Sequence, residues 1–387
     1  MSGRRLKVLQ VGKFFPPHRG GIETYLQSLS GELRRTVDVE VLVANTAPRT
    51  VREVVNGVSV TRTASIGRAR STSLTPLLAR ELRHRTVDVV HLHTPNPVAE
   101  LAVLRDLRRR SAKLVVTWHS DVVRQRWLGR LHRPLSRRLL ARADAICVAT
   151  PQHVTTSALL PAFADKCHVC PYGVDPGALR ADPVAANVVR RRYGARPIVL
   201  GVGRLVYYKG FEVLLDAAAR LDATVLVVGE GELRPRLEAR IGALGLEGRA
   251  WLVGDQPDLR PYFAAADVFV LPSTHRSEAF GIVQLEAMAF GKPVVSTRLG
   301  TGVEHVNVDG ATGLTVAPGD PVALRSAIAR LLDDPALRLR LGANGRRRVE
   351  EEFTTLRAAA DVLAVYRRVT GPEIHLVAAE GWTRDVA

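Results

Sequence analysis

The stretch Ser277–Glu286, with the sequence SEAFGIVQLE, carries two glutamates separated by seven residues. The apolar run before it ends in Leu271-Pro272-Ser273, which predicts the end of a buried strand. The residues that follow it, up to Gly291, predict a helix that a glycine stops before a new strand begins. Glu278 is therefore expected in a loop, and Glu286 about two helical turns further along.

The start of this helix predicts a binding site for an anion. Its first turn is expected over Phe280, Gly281, Ile282 and Val283, where backbone N–H groups have no partner within the helix and the helix dipole favours negative charge. An acid on each side of that turn suits a ligand that is part phosphate and part polyol. The alternative is that Glu278 is an ordinary acid at the helix N-terminus and Glu286 a solvated helix residue.

Short apolar runs alternate with segments of helical periodicity along the whole chain. In the first half the runs are 8–11, 39–43, 87–92, 114–117 and 145–149, and in the second half 198–202, 224–228, 251–253, 268–271, 293–296 and 314–316. Continuous apolar strands between helices are typical of parallel sheets that are covered on both faces. The pattern predicts two doubly wound, Rossmann-like α/β domains that face each other across a cleft, with ligands bound beyond the carboxyl ends of the strands.

The domain boundaries follow from the punctuation of the chain. A turn-rich stretch at 171–177 and a polar helix near 183–193 separate the two sets of strands. We expect a first domain over 1–178, a second over 179–352, and a final helix with a tail over 353–387. A length of 387 residues suits two cores of this size.

The basic charge of the chain is confined to its first half. Residues 1–195 carry 32 Lys and Arg against 14 Asp and Glu, whereas residues 196–387 carry 23 against 24. This asymmetry points to a negatively charged partner of the first domain. No apolar run approaches the roughly 18 residues of a membrane span, no signal peptide is visible, and three cysteines give no disulfide framework. These features predict a cytoplasmic protein.

The motif SEAFGIVQLEAM, which begins at Ser277, resembles the signature of the retaining glycosyltransferase family 4, whose members have the GT-B fold. GVGRLVYYKG from Gly201, VVGEG from Val227 and DGATGL from Asp309 extend the resemblance over the second half. HSDVVRQ from His119 and GTGV from Gly300 are most similar to bacterial O-antigen and exopolysaccharide mannosyl- or rhamnosyltransferases.

The resemblance implies transfer of a hexose from a nucleoside-diphosphate sugar, GDP-mannose or a UDP-sugar, to a hydroxyl of a lipid-linked glycan or a small molecule. Such a reaction belongs to polysaccharide or antibiotic biosynthesis. The nucleotide sugar is a co-substrate, and no cofactor is implied. The fold also implies that the C-terminal helix crosses back to the first domain.

Two cations of the second domain stand where its first strand meets the following loop. Arg204 and Lys209 lie at the ligand-binding end of that strand, and both are expected to bind the diphosphate, whose negative charge grows in the transition state. No Asp-x-Asp is present for a metal–diphosphate complex, so we predict a metal-independent enzyme. By resemblance, Glu286 binds the nucleotide ribose and Glu278 lies beside the transferred sugar, with the acceptor attacking from the face of the leaving group. Gly229 and Glu230 are expected in the base or ribose pocket.

In the first domain, Gly20 and Gly21 predict a loop where the backbone approaches the donor closely. His119 follows a predicted strand, and the resemblance assigns it a contact with the transferred sugar. A buried structural histidine is the alternative. His91 and His93 share one face of another strand, which favours a structural or acceptor-binding role over a metal pair.

Arginines and leucines alternate between Arg124 and Arg142 in a way that predicts an amphipathic helix. Such a helix can bind an anionic membrane surface, or its arginines can simply be solvated. The high charge also raises the alternative of a nucleic-acid-binding protein, which the low aromatic content disfavours. A sugar epimerase with the GT-B fold is a further alternative, since fold alone does not define the reaction.

Overall fold

The computed structural model describes residues 4–18, 20–69, 72–107, 111–121, 126–180 and 182–371. The chain divides into two compact units: unit 1 comprises Met1–Tyr172 with Thr355–Ala387, and unit 2 comprises Gly173–Thr354. The changeovers lie close to the predicted boundaries at 178 and 352. Within unit 2 they are neighbours, because the Val174 amide donates a hydrogen bond of 2.9 Å to the carbonyl of Phe353.

Unit 1 is built on an eight-stranded sheet. Its strands, with a separate two-stranded pair (β5 and β6), are β1 (Lys7–Val11), β2 (Asp38–Ala44), β3 (Val51–Val55), β4 (Val58–Thr63), β5 (Arg68–Ala69), β6 (Thr72–Ser73), β7 (Val89–Thr94), β8 (Lys113–Trp118), β9 (Ala145–Val148) and β10 (Cys167–Val169). The order in the large sheet is β10-β9-β8-β7-β1-β2-β4-β3, and only the edge strand β3 is antiparallel. The order reverses between β1 and β7, which makes their carboxyl ends the switch point of the sheet.

Helices lie between these strands, as βαβ connections require. They are α1 (Gly21–Leu33), α2 (Leu78–Arg83), α3 (Pro97–Asp106), α4 (Arg126–Arg142) and α5 (Pro151–Thr156), with a 3-10 segment at Leu160–Lys166. The core of unit 1 contains the apolar residues of the central strands, including Leu9, Val90, Leu92 and Val116, which are fully buried. Continuous burial of these strands is the physical reason for their continuous apolar runs.

Unit 2 repeats the architecture with a fully parallel sheet. Its strands are β11 (Ile198–Val202), β12 (Thr224–Val228), β13 (Ala250–Gly254), β14 (Val268–Leu271), β15 (Val294–Thr297) and β16 (Gly313–Val316). The order is β13-β12-β11-β14-β15-β16, which is the 3-2-1-4-5-6 order of dinucleotide-binding folds. The switch point therefore lies between the ends of β11 and β14.

The helices of unit 2 complete the doubly wound fold. They are α6 (Pro183–Tyr193), α7 (Phe211–Ala218), α8 (Arg234–Ala243), α9 (Arg260–Ala265), α10 (Ile282–Ala289), α11 (Gly302–Val306), α12 (Pro321–Asp333) and α13 (Pro335–Glu352), with a 3-10 turn at Tyr207–Lys209. The last helix, α14 (Thr355–Thr370), belongs to unit 1, where its Tyr366 is fully buried. The predicted return of the C-terminal helix to the first domain is confirmed.

Candidate active site

The predicted catalytic residues of unit 2 meet at the switch point of its sheet. Arg204 and Lys209 follow β11, and Glu278 follows β14, the neighbouring strand across the reversal. The two loops are tied together, because the Thr274 amide donates a hydrogen bond of 2.8 Å to the carbonyl of Tyr208. Sheet order therefore brings together residues that are about 70 positions apart in the chain.

Lys209 and Glu278 form a close ion pair. The Lys209 Nζ lies 2.6 Å from Glu278 Oε2, and the side chains are only 11% and 10% exposed. Burial lowers the pKa of Lys209, but Glu278 and Tyr208 together more than offset this effect, so that the pKa is raised overall. The lysine is therefore an ammonium ion at neutral pH, held against a carboxylate.

Glu278 is held in place by further neighbours that the sequence did not reveal. The hydroxyl of Ser273, two residues after β14, donates a hydrogen bond of 3.0 Å to Glu278 Oε2. The hydroxyl of Thr301 donates one of 2.9 Å to the Glu278 carbonyl, and the Gly302 amide donates one of 2.8 Å to the carbonyl of Ala279. Thr301 also caps α11 in a capping box with Glu304. The GTGV motif thus supports the loop that carries Glu278.

Arg204 differs from Lys209 in its surroundings. Its side chain is exposed, and it makes no ion pair or side-chain hydrogen bond with any residue among those that the structure describes. It nevertheless lies close enough to Lys209 for its positive charge to lower the Lys209 pKa. The site therefore presents one paired cation and one uncommitted cation, and the second can bind an incoming anion without breaking a contact.

The helix that follows Glu278 begins two residues later than predicted. α10 starts at Ile282, so Phe280 and Gly281 precede its first turn. Gly281 is the N-cap residue with a φ of 72°, and a side chain there would lie 2.7 Å from Leu271, so only glycine fits without strain. Phe280 is 2% exposed and packs edge-on against Phe353, so its side chain belongs to the core.

Gln284, on the same helix, is fully buried and had no predicted role. It donates a hydrogen bond of 3.1 Å to the carbonyl of Phe280, while its own Oε1 accepts none from the described residues. The backbone N–H of Gln284 donates to the carbonyl of Gly281. The N–H groups of Ile282 and Val283, at the start of α10, have no backbone acceptor outside the helix among the described residues and can face an anion.

Glu286 lies on α10 and is half-buried. Burial raises its pKa to about 7, although nearby Lys209 lowers it. The effect of Lys209 shows that Glu286 belongs to the same electrostatic neighbourhood as the ion pair. The raised pKa moves the titration of this carboxyl group from the acid range toward neutral pH.

Gly229 and Glu230 follow β12, beside the end of β11. A Cβ on Gly229 would collide with the carbonyl of Gly203, so the close approach of the two loops requires glycine. Glu230 is exposed and pairs with Arg234 of α8 at 2.9 Å. The pair places Glu230 at the edge of the switch point, with its carboxylate already engaged.

The predicted residues of unit 1 form a separate group. His119, directly after β8, is only 4% exposed, and both of its ring nitrogens have partners. Its Nδ1 lies 2.6 Å from the hydroxyl of Tyr172 and its Nε2 lies 3.0 Å from Nδ1 of His93. His91 and His93 are also buried, and their rings stack at 4.8 Å. These partners agree with the structural alternative for His119 as well as with a sugar contact.

Gly20 and Gly21 lie at the start of α1. Gly20 is extended, with a φ of 173°, and the carboxylate of Glu23 lies over its Cα. The same helix carries Tyr25, whose ring packs against His119 at 5.5 Å. The glycine loop is therefore connected to the histidine group through the first two turns of α1.

The arginine-rich segment is a helix, and its described part is amphipathic. α4 covers Arg126–Arg142, while residues 122–125 lie outside the described residues. From residue 132 onward Leu139 and Leu140 are fully buried, whereas Arg133, Arg137 and Arg138 are exposed. No helix in the described ranges is long and apolar enough to cross a bilayer. Nor do these residues contain three or more His, Cys, Asp or Glu placed to hold a metal ion.

Comparisons with known proteins identify the family. The model described as glycosyl transferases group 1 matches residues 188–348, and the model described as glycosyl transferase 4-like domain matches residues 20–173. The matches cover most of both units. Both models describe glycosyltransferases, and they favour this class over a nucleic-acid-binding protein or an epimerase.

Three similar proteins extend this result. The D-rhamnosyltransferase WbpZ of Pseudomonas aeruginosa is 38% identical over 269 residues, which cover 69% of this chain and 70% of the relative. The O-antigen chain mannosyltransferase C of Escherichia coli is 33% identical over 355 residues, or 90% of this chain and 95% of the relative. The crystal structure of HepE from Anabaena in complex with UDP matches with a TM-score of 0.79 at 20% identity, over 94% of this chain and all of the HepE chain. At this identity the similarity supports a common fold and nothing further. The chain therefore belongs to glycosyltransferase family 4 and is a glycosyltransferase with the GT-B fold.

Proposed function

We propose that this glycosyltransferase moves a hexose from a nucleoside-diphosphate sugar to an acceptor hydroxyl with retention of configuration and without a metal ion. The observation that carries the proposal is the arrangement at the unit 2 switch point. Arg204 and Lys209 supply two positive charges after β11, and Lys209 is paired with Glu278, which lies four residues before the start of α10. Together they can stabilise a departing diphosphate without a divalent cation.

The buried carboxylate of Glu278 supports a role beside the transferred sugar rather than that of a nucleophile. A covalent double displacement needs a free carboxylate on the face of the sugar opposite the leaving group. Glu278 is instead bound to Lys209, which we assign to the leaving diphosphate, and to Ser273. In the proposed mechanism the acceptor attacks from the leaving-group face, and the departing diphosphate takes its proton. The protein contributes positioning and electrostatic stabilisation.

The donor is proposed to carry a sugar of the manno configuration. Two relatives that match most of this chain transfer mannose and D-rhamnose, which is 6-deoxymannose. GDP-mannose is the donor that we favour, and a UDP-sugar is the alternative. Glu286 would bind the ribose diol, with Gly229 and Glu230 near the base. The resemblance assigns His119 of unit 1 to the transferred sugar.

The acceptor is proposed to be a lipid-linked glycan in the cytoplasm; the O-antigen chain mannosyltransferase supports a glycan acceptor. The exposed arginines of α4 would then hold the enzyme at an anionic membrane surface, each adding about 1 kcal/mol. A soluble small-molecule acceptor, as in antibiotic biosynthesis, is the alternative, in which these arginines are only solvated.

Thermal-shift measurements with GDP, UDP, dTDP and ADP test the donor assignment. A nucleotide that binds the folded state raises the melting temperature by mass action. We expect stabilisation by GDP in the presence of EDTA, and a loss of that stabilisation in Lys209→Met. No shift with any of the four nucleotides would contradict the assignment of the unit 2 site.

A further inference from the structure

Seven buried side chains of unit 1 form one continuous hydrogen-bonded chain. Its members come from β1, β7, β8, α14 and the loops after β8 and β10. In order, the contacts are Thr117 Oγ1 with His91 Nε2 (2.6 Å), His91 Nδ1 with Tyr366 OH (2.6 Å), Tyr366 OH with Gln10 Nε2 (2.9 Å), Gln10 Oε1 with His93 Nε2 (2.8 Å), His93 Nδ1 with His119 Nε2 (3.0 Å), and His119 Nδ1 with Tyr172 OH (2.6 Å). None of the seven is more than 4% exposed.

The chain permits only two arrangements of its protons. Each contact needs one hydrogen, and each neutral imidazole supplies one N–H and one lone pair. If Gln10 donates to Tyr366, then Tyr366 donates to His91 and His91 donates to Thr117. The Gln10 carbonyl then accepts from His93, which in turn accepts from His119. Turning the Gln10 amide end for end reverses every contact.

The two phenols select between these arrangements. A phenol hydroxyl is a stronger donor than an imidazole N–H, and an imidazole nitrogen is a stronger acceptor than a phenol oxygen. Both phenol–imidazole contacts measure 2.6 Å, but so does the Thr117–His91 contact, and length alone therefore does not choose between the arrangements. The choice rests on the phenols, which are more acidic than the threonine hydroxyl and outnumber it two to one. Both favour the arrangement in which Tyr366 donates to His91 and Tyr172 donates to His119, which is also the orientation of the Gln10 amide in the structure.

Burial keeps the histidines of this chain uncharged. Burial lowers the pKa of His93 to about 3. The pKa values of His91 and His119 are also lowered well below the usual range, mainly by burial and secondarily by neighbouring histidines. A neutral chain transmits the polarity of one group to the next, because no imidazole can donate on both sides.

We infer that Gln10 is a positioning residue that fixes the tautomer of His119, with the proton on Nε2 and a lone pair on Nδ1. A ligand that contacts Nδ1 must then donate a hydrogen bond in place of the Tyr172 hydroxyl, as a sugar hydroxyl can. Tyr366 supports Gln10 from α14, 356 positions away in the chain. The relevance to catalysis rests on the proposed function of His119, whereas the proton arrangement does not.

The wild-type protein tests the inference directly. Nitrogen-15 NMR of the full-length protein labelled at histidine, assigned with single substitutions, distinguishes the two tautomers. We expect the Nε2–H form for His91, His93 and His119, unchanged between pH 6 and pH 8. Nδ1–H forms at His93 and His119, or titration of any of the three in that range, would overturn the inference.

Gln10→Glu provides a sharper test, because a carboxylate only accepts. It should still accept from His93, so that His93 and His119 keep their tautomers. It should also accept from Tyr366, whose hydroxyl then accepts from His91, and His91 should change to the Nδ1–H form. A His91 spectrum identical to wild type in the folded variant, at a pH where carbon-13 NMR shows the introduced carboxyl group to be ionised, would contradict the hydrogen-bonded chain.

A matched control is Asn307→Asp, which buries a carboxylate in place of an amide in unit 2. The Asn307 side chain donates to Val294, Ser296 and Leu314 and contacts none of the seven hydrogen-bonded side chains. We expect no change in the three histidine signals. For transfer activity, Gln10→Glu should retain more turnover than Gln10→Leu, which removes the link. If the tautomers agree but His119→Gln has wild-type turnover, the proton arrangement stands and the proposed role of His119 fails.

Discussion

Separating Lys209 from Glu278 should affect stability and nucleotide binding in different ways. At 2.6 Å the attraction is about 6 kcal/mol for an effective dielectric constant of about 20, before desolvation is subtracted. Removing one partner of a buried pair leaves an uncompensated charge and costs about 3–5 kcal/mol. We expect Lys209→Met to lower the free energy of unfolding by about this amount. The double variant Lys209→Met with Glu278→Gln should lose less than the sum of the two single losses, because neither charge remains.

Nucleotide binding separates the roles of the two residues. Lys209→Met should weaken binding of the nucleoside diphosphate and lower turnover by about 2–4 kcal/mol of transition-state stabilisation. Glu278→Gln removes a negative charge beside the diphosphate and frees the lysine, so its nucleotide affinity should equal or exceed that of the wild type. Its turnover should nevertheless fall, because the proposed sugar contact is lost.

Urea denaturation followed by circular dichroism, with the transition of unit 2 fitted separately, measures the stability cycle. Isothermal calorimetry with GDP and UDP measures binding. Ser273→Ala is a matched control, since it removes a hydrogen bond from an uncharged donor to Glu278 and leaves the ion pair. Additive stability losses in the cycle, or equal losses of affinity in Lys209→Met and Glu278→Gln, would refute the reasoning.

Four further outcomes are expected. Arg204→Ala should lower turnover by about 2–4 kcal/mol with little loss of stability, because its side chain is exposed; wild-type kinetics in the folded variant would remove its assignment. Activity should persist in excess EDTA, and loss that Mg²⁺ or Mn²⁺ restores would reveal a metal site. Folding raises the Glu286 pKa from 4.5 to about 7, so its contribution to stability is greatest below pH 4.5 and is lost as the pH rises to about 7. Melting temperatures of Glu286→Gln across that range should lack this decline. The full-length chain should cosediment with anionic vesicles at low salt, less so after replacement of Arg133, Arg137 and Arg138 by glutamine; protein that remains in the supernatant would favour a soluble acceptor.

The order of strands and helices could be predicted because each buried strand is a continuous apolar run. The runs 198–202, 224–228 and 268–271 coincide with β11, β12 and β14, and the polar helix α6 covers the predicted residues Pro183–Tyr193. The hairpin of β3 and β4 was not predicted. In β3 the pattern is exposed at three successive residues, so an antiparallel edge strand leaves no continuous apolar run.

The start of α10 was predicted two residues too early for a local reason. The predicted first turn of the helix includes Phe280. Its side chain is buried against Phe353 instead, and the left-handed backbone of Gly281 turns the chain into the helix. An apolar residue indicates burial, but the start of α10 is set by the backbone conformation of Gly281.

Partners of the functional residues follow from sheet order rather than from local sequence. Glu278 meets Lys209 because the ends of β11 and β14 are adjacent, and His119 meets His93 because β8 pairs with β7. A motif can therefore indicate which residue stands at a strand end, while topology decides what that residue contacts. The state of the group follows from the contact: Glu278 is an ionised partner of a lysine, and His119 is a neutral imidazole with both nitrogens engaged. The residues next to Glu278 and His119 in the sequence do not predict these two states. A resemblance to a family can therefore suggest a role for a residue, but the fold decides which hydrogen bonds its side chain can donate or accept.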